Sequence, residues 1–483
     1  MFPVTDSVSW GPMDTPIESA SFIENFTHWF KPEPFHRLAR QTGFCKRQGK
    51  IDPYDFLLGP VLAQASALRL SYNTQAQSLE DPVSPQAIHQ RYTPEAVAFF
   101  RAAHDYVLAE ALGQPPLVVM AESLRQHFSA VYLLDSTSFD APPALQTLFP
   151  ACGGDASPAN VKVLLRYEYI QGQFEPQPLL PGKKSDQGLA AAAAARLQKD
   201  QLQIQDKGFY NAAAWHAVQA AGAYLLMPWP RNVTVWTRGQ PGQPEQPLDV
   251  AAALGSTTDA RVEWAEVTLG KNMRRVEGLR LTAFRLSPES AGRHRAALRE
   301  ARRRQGGGSP TEAALELAGW LILLTNAPLA KLPTRMIAYL YRLRWQIELI
   351  FRQCKTTLRL DQARGDNGHR THCEIWARLI CATFVFLWHA HANAACWASH
   401  RREISFEKTA CLIQLEAHSL ARLLFQGGPP LREVLYRLWR CTLKTTRKGR
   451  QKTRTNSWDA LNDLWLEPKP TPPAPHSMNI VIH

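Results

Sequence analysis

Between residues 128 and 229 the patterning of apolar residues switches repeatedly between the period of a strand and that of a helix. This alternation restricts the segment to a mixed α/β arrangement. AVYLLDSTSF, NVKVLLRYEYIQG and QFEPQPLLPG are β-branched or alternating runs bounded by Pro and Gly, and are expected to be strands. SDQGLAAAAAARLQKD is expected to be a helix, because its core is an unbroken run of alanines, the residue of highest helix propensity. QLQIQDKGFY reads as a strand, NAAAWHAVQAAG as a helix and AYLLMPWP as a strand. The order is therefore three strands, helix, strand, helix, strand.

The flanks have a different texture. Residues 20–115 read as mostly helical, with apolar residues at helical spacing in DFLLGPVLAQASALRL and AVAFFRAAHDYVLAEAL. Between those runs Ser84 precedes PQAIHQRYT, with Pro85 in a favourable first-turn position. This segment is either the second helix of a helix-turn-helix, with Gln86, His89, Gln90 and Arg91 facing a DNA groove, or a short surface helix of a bundle. In 231–318, NVTVWTRG, ARVEWAEVTLG and LRLTAFRLS look like antiparallel strands, followed by the basic, Gly-rich HRAALREARRRQGGGSP. LAGWLILLTN then resumes a buried strand. The expected organisation is a helical N-terminal DNA-binding region over 1–120, an α/β domain in two parts (121–230 and 319–375), a β-rich insertion over 231–318, a helical C-terminal region over 376–440, and a basic then Pro-rich tail over 441–483 that is partly disordered.

Lys and Arg number 55 against 42 Asp and Glu, a formal charge of +13. The excess favours a polyanionic partner, nucleic acid before anionic membrane. Two clusters, Arg302–Arg304 and Lys444–Arg454, suit phosphate contacts. The most apolar stretch, Leu379–Trp388, is shorter than the ~20 residues that span a bilayer, so a buried core helix is expected and no membrane. No basic, then apolar run opens the chain, so no signal peptide is read. The eight cysteines form no C-x-x-C pair, which argues against a zinc ribbon or disulfide framework and for a reducing cytosol. GHRTHCEIW brings His369, His372 and Cys373 together without a fourth zinc ligand at good spacing.

The chemistry concentrates in YRLRWQIELIFRQCK, which contains neither Gly nor Pro and fits one helix. At 100° per residue, Tyr341, Arg344, Glu348 and Lys355 share a stripe roughly 60° wide. One carboxylate between two cations and a phenol makes a poor core face. It makes a sensible DNA-facing one, with Glu348 on a divalent cation and Tyr341, Arg344 and Lys355 on phosphates. A single carboxylate cannot hold two hard cations, so partners are expected at strand ends. Asp135 closes the apolar run AVYLL, and Asp206 closes QLQIQ. Asp135, Asp206 and Glu348 together would form a two-metal site for in-line phosphoryl displacement.

With these residues in place, the chain resembles the insertion-sequence DDE transposases that carry a Y-x2-R-x3-E-x6-K signature, the hairpin-forming, cut-and-paste transposases of bacterial mobile elements. The signature stands complete as Tyr341, Arg344, Glu348 and Lys355. Asp135 in LLDSTSF and Asp206 in QDKGFYN match the family's two Asp contexts. Trp345 comes directly after the signature Arg, and Trp320 opens WLILLTN as a Trp does in the family. The resemblance covers roughly 30–425. It implies an RNase H-like catalytic domain, a mixed sheet flanked by helices and interrupted by a β-rich insertion. It implies catalytic and metal-binding roles for Asp135, Asp206 and Glu348, with two Mg²⁺ ions for which Mn²⁺ can substitute. DNA contacts are expected from Tyr341, Arg344, Lys355, Trp345, Trp320 and Arg91, with Trp320 stacking on a flipped base. The implied partners are double-stranded DNA (terminal inverted repeats and target) and a second copy of the chain in a synaptic homodimer, in the bacterial cytoplasm at the nucleoid. On residues alone, a nuclease without strand transfer and a non-catalytic DNA-binding descendant stay open.

Overall fold

The computed structural model describes residues 22–447, apart from 26, 29–30, 48, 66–70, 80, 113–121, 154–156, 171–172, 176–178, 239–242, 357–366, 401 and 427–428. Most of the expected tail, 448–483, lies outside the described residues. The chain forms two compact units, with boundaries between Val118 and Val119 and between Arg352 and Gln353.

The first unit is helical and is built from both flanks of the sequence. The N-terminal flank supplies α1 (Pro32–Gln41), α2 (Pro53–Ala65), α3 (Tyr72–Ser78), α4 (Pro85–Arg91) and α5 (Pro94–Leu112). Ser84 caps α4 where expected, accepting from the backbone N–H of Ala87, and Ser71 caps α3 by accepting from that of Thr74.

The second unit opens with α6 (Glu122–His127) and is organised on one sheet of eleven strands. These are β1 (Ala130–Ala141), β2 (Ala159–Glu168), β3 (Gln173–Glu175), β4 (Leu179–Pro181), β5 (Gln201–Gln205), β6 (Tyr224–Pro228), β7 (Val235–Thr237), β8 (Gln246–Pro247), β9 (Arg261–Leu269), β10 (Val276–Arg285) and β11 (Trp320–Thr325). Their order across the sheet is β3-β2-β1-β5-β6-β11-β10-β9-β7-β8, with β4 also on β2. Only β1–β5 and β5–β6 pair in parallel; the remaining pairs are antiparallel. The parallel crossovers contain α7 (Asp186–Ala194) and α8 (Ala212–Ala220). Leu134, Leu189, Trp215, Val218, Leu225, Met227, Leu281 and Leu324 belong to one buried apolar cluster. Since side chains alternate along a strand, Asp135 leaves β1 on the face opposite Leu134.

In the expected strand QFEPQPLLPG the described residues form β3 and β4, each paired antiparallel with β2. The strands expected in 231–318 continue the same sheet. Strands β7–β10 hydrogen-bond into it beyond β11, and LRLTAF of β10 is buried on both faces, as in an interior strand. The segment also contains α9 (Val250–Gly255), α10 (Pro288–Arg304) and α11 (Glu312–Leu317). The Arg- and Ala-rich run belongs to a 17-residue helix capped by Ser287.

After β11 the chain forms α12 (Thr334–Arg342) and α13 (Arg344–Thr356), and α12 packs on β6. The C-terminal flank then returns to the helical unit as α14 (Gly368–His400), α15 (Phe406–Gln426) and α16 (Pro429–Thr445). Helix α14 packs along α5 and α2, and α15 packs against α2 and α16. Among the described residues α14 alone is long and apolar enough to cross a membrane, yet 67% of its most apolar window is buried, as in a core helix.

Candidate active site

The parallel register of β1 and β5 brings two distant carboxylates together. Leu134 lies opposite Gln205, the last residue of β5. The next residue on each strand path is an aspartate, Asp135 and Asp206, so residues separated in sequence by β2, β3, β4 and α7 become neighbours. Asp135 is not at a strand end, contrary to expectation: β1 continues to Ala141 because its antiparallel partner β2 holds it, with Asp135 opposite Leu165. The end that matters is that of β5. Asp206 succeeds it in extended conformation at the start of the short 3₁₀ turn Lys207–Phe209 and makes no side-chain cap bond to that turn. Its carboxylate is therefore not engaged in capping.

Arg344 ties the third carboxylate to this edge. Its guanidinium spreads three ways: Nε donates to the Tyr341 hydroxyl at 3.2 Å, Nη1 lies 3.5 Å from Asp135 Oδ2, and Nη2 lies 2.6 Å from Glu348 Oε1. Glu348 sits one helical turn after Arg344 on α13, the spacing that puts two side chains on one face. Burial works to lower the basicity of Arg344, but Tyr341, Glu348, Asp206 and Asp135 outweigh it and raise the guanidinium above the ordinary arginine range. Burial also pushes the Asp135 carboxyl up to about 6, helped by Asp206 and Glu348 and opposed by the Ser136 N–H and Arg344. The buried Tyr341 phenol is likewise raised, by burial first, and stays neutral.

The expected single helix over Tyr341–Lys355 is broken. Helix α12 ends at Arg342 and α13 begins at Arg344, with Leu343 N–H donating to the Leu340 carbonyl at 2.9 Å in a tighter turn. No Gly or Pro causes this. Leu340 and Leu343 are both buried, and the joint keeps them in the core while Arg344 turns to the carboxylates. The even angular stripe drawn for one helix is thus irregular, although Tyr341 and Arg344 still touch across the joint.

A backing network was not foreseen. The Ser136 backbone N–H donates to Asp135 Oδ1 at 2.8 Å, and the Ser136 hydroxyl donates to Asp186 Oδ1 at 2.9 Å. Asp186 also receives Lys162 Nζ at 2.9 Å, and that ammonium reaches the Lys184 carbonyl at 2.6 Å. Asp186 opens α7 directly after the capping Ser185, so local sequence marks it only as a first-turn acid.

Residues 126–384 match the family described as Transposase DDE domain, more than half of the chain. The chain belongs to this family. It is similar along most of its length to the transposase for insertion sequence element IS231E of Bacillus thuringiensis subsp. finitimus, at 26% identity over 92% of this chain and 95% of that protein. The transposase for IS1151 of Clostridium perfringens is 23% identical over 74% of this chain and 79% of its own length. The putative transposase InsL for IS186A of Escherichia coli K12 is 26% identical over 74% and 91%.

The remaining expected site residues of this DDE transposase are placed less uniformly. Lys355 is half-buried on α13, about two turns beyond Glu348. Trp345 is half-buried on the same helix, with the Arg352 guanidinium 5.4 Å from its ring centre. Trp320 lies in the core: it is 3% exposed, its indole N–H donates to Glu316 at 3.0 Å, and Arg285 lies 4.2 Å over its ring. Every residue of β11 is buried, which explains why its first residue is not offered to solvent. Arg91 is the last residue of α4 in the helical unit. Gln86, His89 and Gln90 are exposed on α4, whereas Arg91 folds back with its guanidinium 4.7 Å from the Phe44 ring centre.

The donors at the sheet edge are all hard carboxylate oxygens, the chemistry that suits Mg²⁺. Their negative charge is shared by the cation Arg344. Among the described residues, no three His, Cys, Asp or Glu groups stand close enough to hold a metal as placed, the His369–His372–Cys373 group included. The carboxylates therefore fit a divalent cation in donor type and charge, with Arg344 occupying part of the space between Asp135 and Glu348.

Proposed function

We propose that this transposase binds the terminal inverted repeats of its own insertion sequence as a homodimer, at the bacterial nucleoid, and catalyses cut-and-paste transposition. The observation that carries the reading is the adjacency of Asp135 and Asp206 at the end of β5, joined to Glu348 through Arg344. The strand order β3-β2-β1-β5-β6, antiparallel on one side of β1 and parallel on the other, supports an RNase H-like catalytic core.

Asp135, Asp206 and Glu348 would hold two Mg²⁺ ions, with Mn²⁺ able to substitute. Bound there, the ions supply a more acidic attacking hydroxyl and stabilise the leaving oxygen. The chain's own groups do the positioning. The neutral Tyr341 phenol offers a hydrogen bond, and the always-charged Arg344 and the Lys355 ammonium hold phosphates of the transposon end. The reaction sequence is strand cleavage by water at the transposon end, attack of the freed 3′-hydroxyl on the opposite strand to close a hairpin, reopening, and strand transfer into target DNA.

Asp135→Ala is expected to abolish cleavage of a labelled transposon-end duplex while leaving its gel-shift affinity nearly unchanged. Cleavage at the wild-type rate would remove Asp135 from the site. Wild-type cleavage without joining of cut ends to target DNA would reduce the proposal to a nuclease.

A further inference from the structure

Arg91 is held in an arrangement that the groove-reading expectation does not explain. It borders a cavity of about 540 Å³ in the helical unit, lined also by Phe44, Lys46, Arg47, Gln90 and Glu95. The backbone makes this place in two steps. Just past the end of α1, Gly43 has a φ of +75°, which reverses the chain and is a conformation glycine adopts readily. Phe44 then turns inward, 5% exposed, while Lys46 and Arg47 stay exposed at the mouth.

Phe44 is stacked on Phe99 with ring centres 5.2 Å apart and planes 9° apart, and Arg91 lies 4.7 Å from the same ring. The aromatic surface is thus already covered, and no face is left on which a nucleobase could stack. The contact instead fixes the guanidinium plane by cation–π attraction. The Arg91 Nε is buried and has no hydrogen-bond partner. An unsatisfied buried donor is unfavourable, and it gains a partner when an anion enters. Lys46, Arg47 and Arg91 give the cavity three cations against the single carboxylate of Glu95. A hydrogen bond from Thr93 is the chief cause that holds the Glu95 carboxyl below its usual range, with Lys46 and His369 contributing less.

We infer that this cavity is a phosphate-binding site for the backbone of duplex DNA, with Arg91 as its central donor and Lys46 and Arg47 as flanking cations. The contact is independent of base sequence, because the cavity offers cations and a covered ring to its ligand and only Gln90 as an amide. The inference rests on the DNA-binding function proposed for the chain and places a second contact region in the helical unit.

The test uses the full-length chain and two fluorescein-labelled duplexes of equal length, one carrying the element's terminal repeat and one a scrambled sequence. Affinity is measured by anisotropy between 50 and 200 mM salt. Arg91→Ala is expected to weaken binding to both duplexes equally, by about five- to tenfold, and to reduce the slope of log affinity against log salt by about one. The double substitution Lys46→Gln, Arg47→Gln changes only exposed side chains and so keeps the fold. It is expected to reduce the slope by about two. Unchanged slopes in the double variant would overturn the inference, and so would a loss confined to the terminal-repeat duplex, which would mean base reading. Wild-type chain that binds neither duplex would instead defeat the DNA-binding function itself.

Discussion

At the scale of single residues, Arg344 is the group on which the site turns. It lies among three carboxylates, Asp135, Asp206 and Glu348, and its side chain is only 16% exposed. Arg344→Met would leave Asp135 and Glu348 without that partner. We expect a loss of about 1–3 kcal/mol in urea unfolding with EDTA present, below the range for a fully buried pair because both carboxylates keep some solvent. Adding Mg²⁺ should restore more stability to this variant than to wild type, since an ion bound only by the folded state stabilises it. If Mg²⁺ leaves both midpoints unmoved, the three carboxylates do not share a cation site. Both aspartates are legible in the sequence from their C-terminal neighbours, Ser-Thr and Lys-Gly-Phe. Their adjacency is not, because it depends on which strands pair in parallel and in which register, and that is set by packing of the whole sheet. Asp186 is invisible for the same reason: its tie to Ser136 and Lys162 crosses from α7 to β1 and β2.

Among elements, the two helices that meet at Leu343 need an anchor, and β10 supplies one. Arg280, nearly buried, donates to the carbonyls of Ala327 and Leu332 at 2.9 Å each and to the Thr334 hydroxyl at 3.1 Å, while pairing with Glu263 at 2.7 Å. Thr334 is the first residue of α12, so these bonds fix where the helix bearing Tyr341 begins. Arg280→Met should destabilise the α/β unit by about 1–3 kcal/mol, because the carbonyls of Ala327 and Leu332 lose their donor while Glu263 keeps solvent. Amide hydrogen exchange over 334–342 should accelerate more than over β11. Equal acceleration in both would show that Arg280 supports the sheet generally and not α12. The strand and helix types over 128–229 come from periodicity, and capping serines mark several helix starts. The length of the sheet is not so readable: alternation in ARVEWAEVTLG and LRLTAFRLS announces strands but not that they extend the existing sheet. Nor can residue spacing reveal the joint at Leu343, which contains no helix breaker.

At the scale of the molecule, the helical unit carries its own response to acid. Burial lowers both His372 and His391 to about 4, with His369 and Arg101 adding to the effect at His372. Their folded values lie below the unfolded value near 6.5, so the stability they contribute is fully present above about pH 6.5 and is lost as pH falls toward 4. The urea midpoint of helical signal should fall across that window, and His391→Gln should flatten the fall. A midpoint that rises on acidification would contradict this. The same unit is assembled from both sides of the α/β unit, with α2 and α5 early in the chain and α14 late. During synthesis α5 therefore waits for α14 while roughly 250 residues are added, on the order of 13 to 50 seconds at bacterial elongation rates. Through that interval the faces of α2 and α5 that will receive α14 are open to water, and a nascent chain in this state needs a holding chaperone more than the finished protein does.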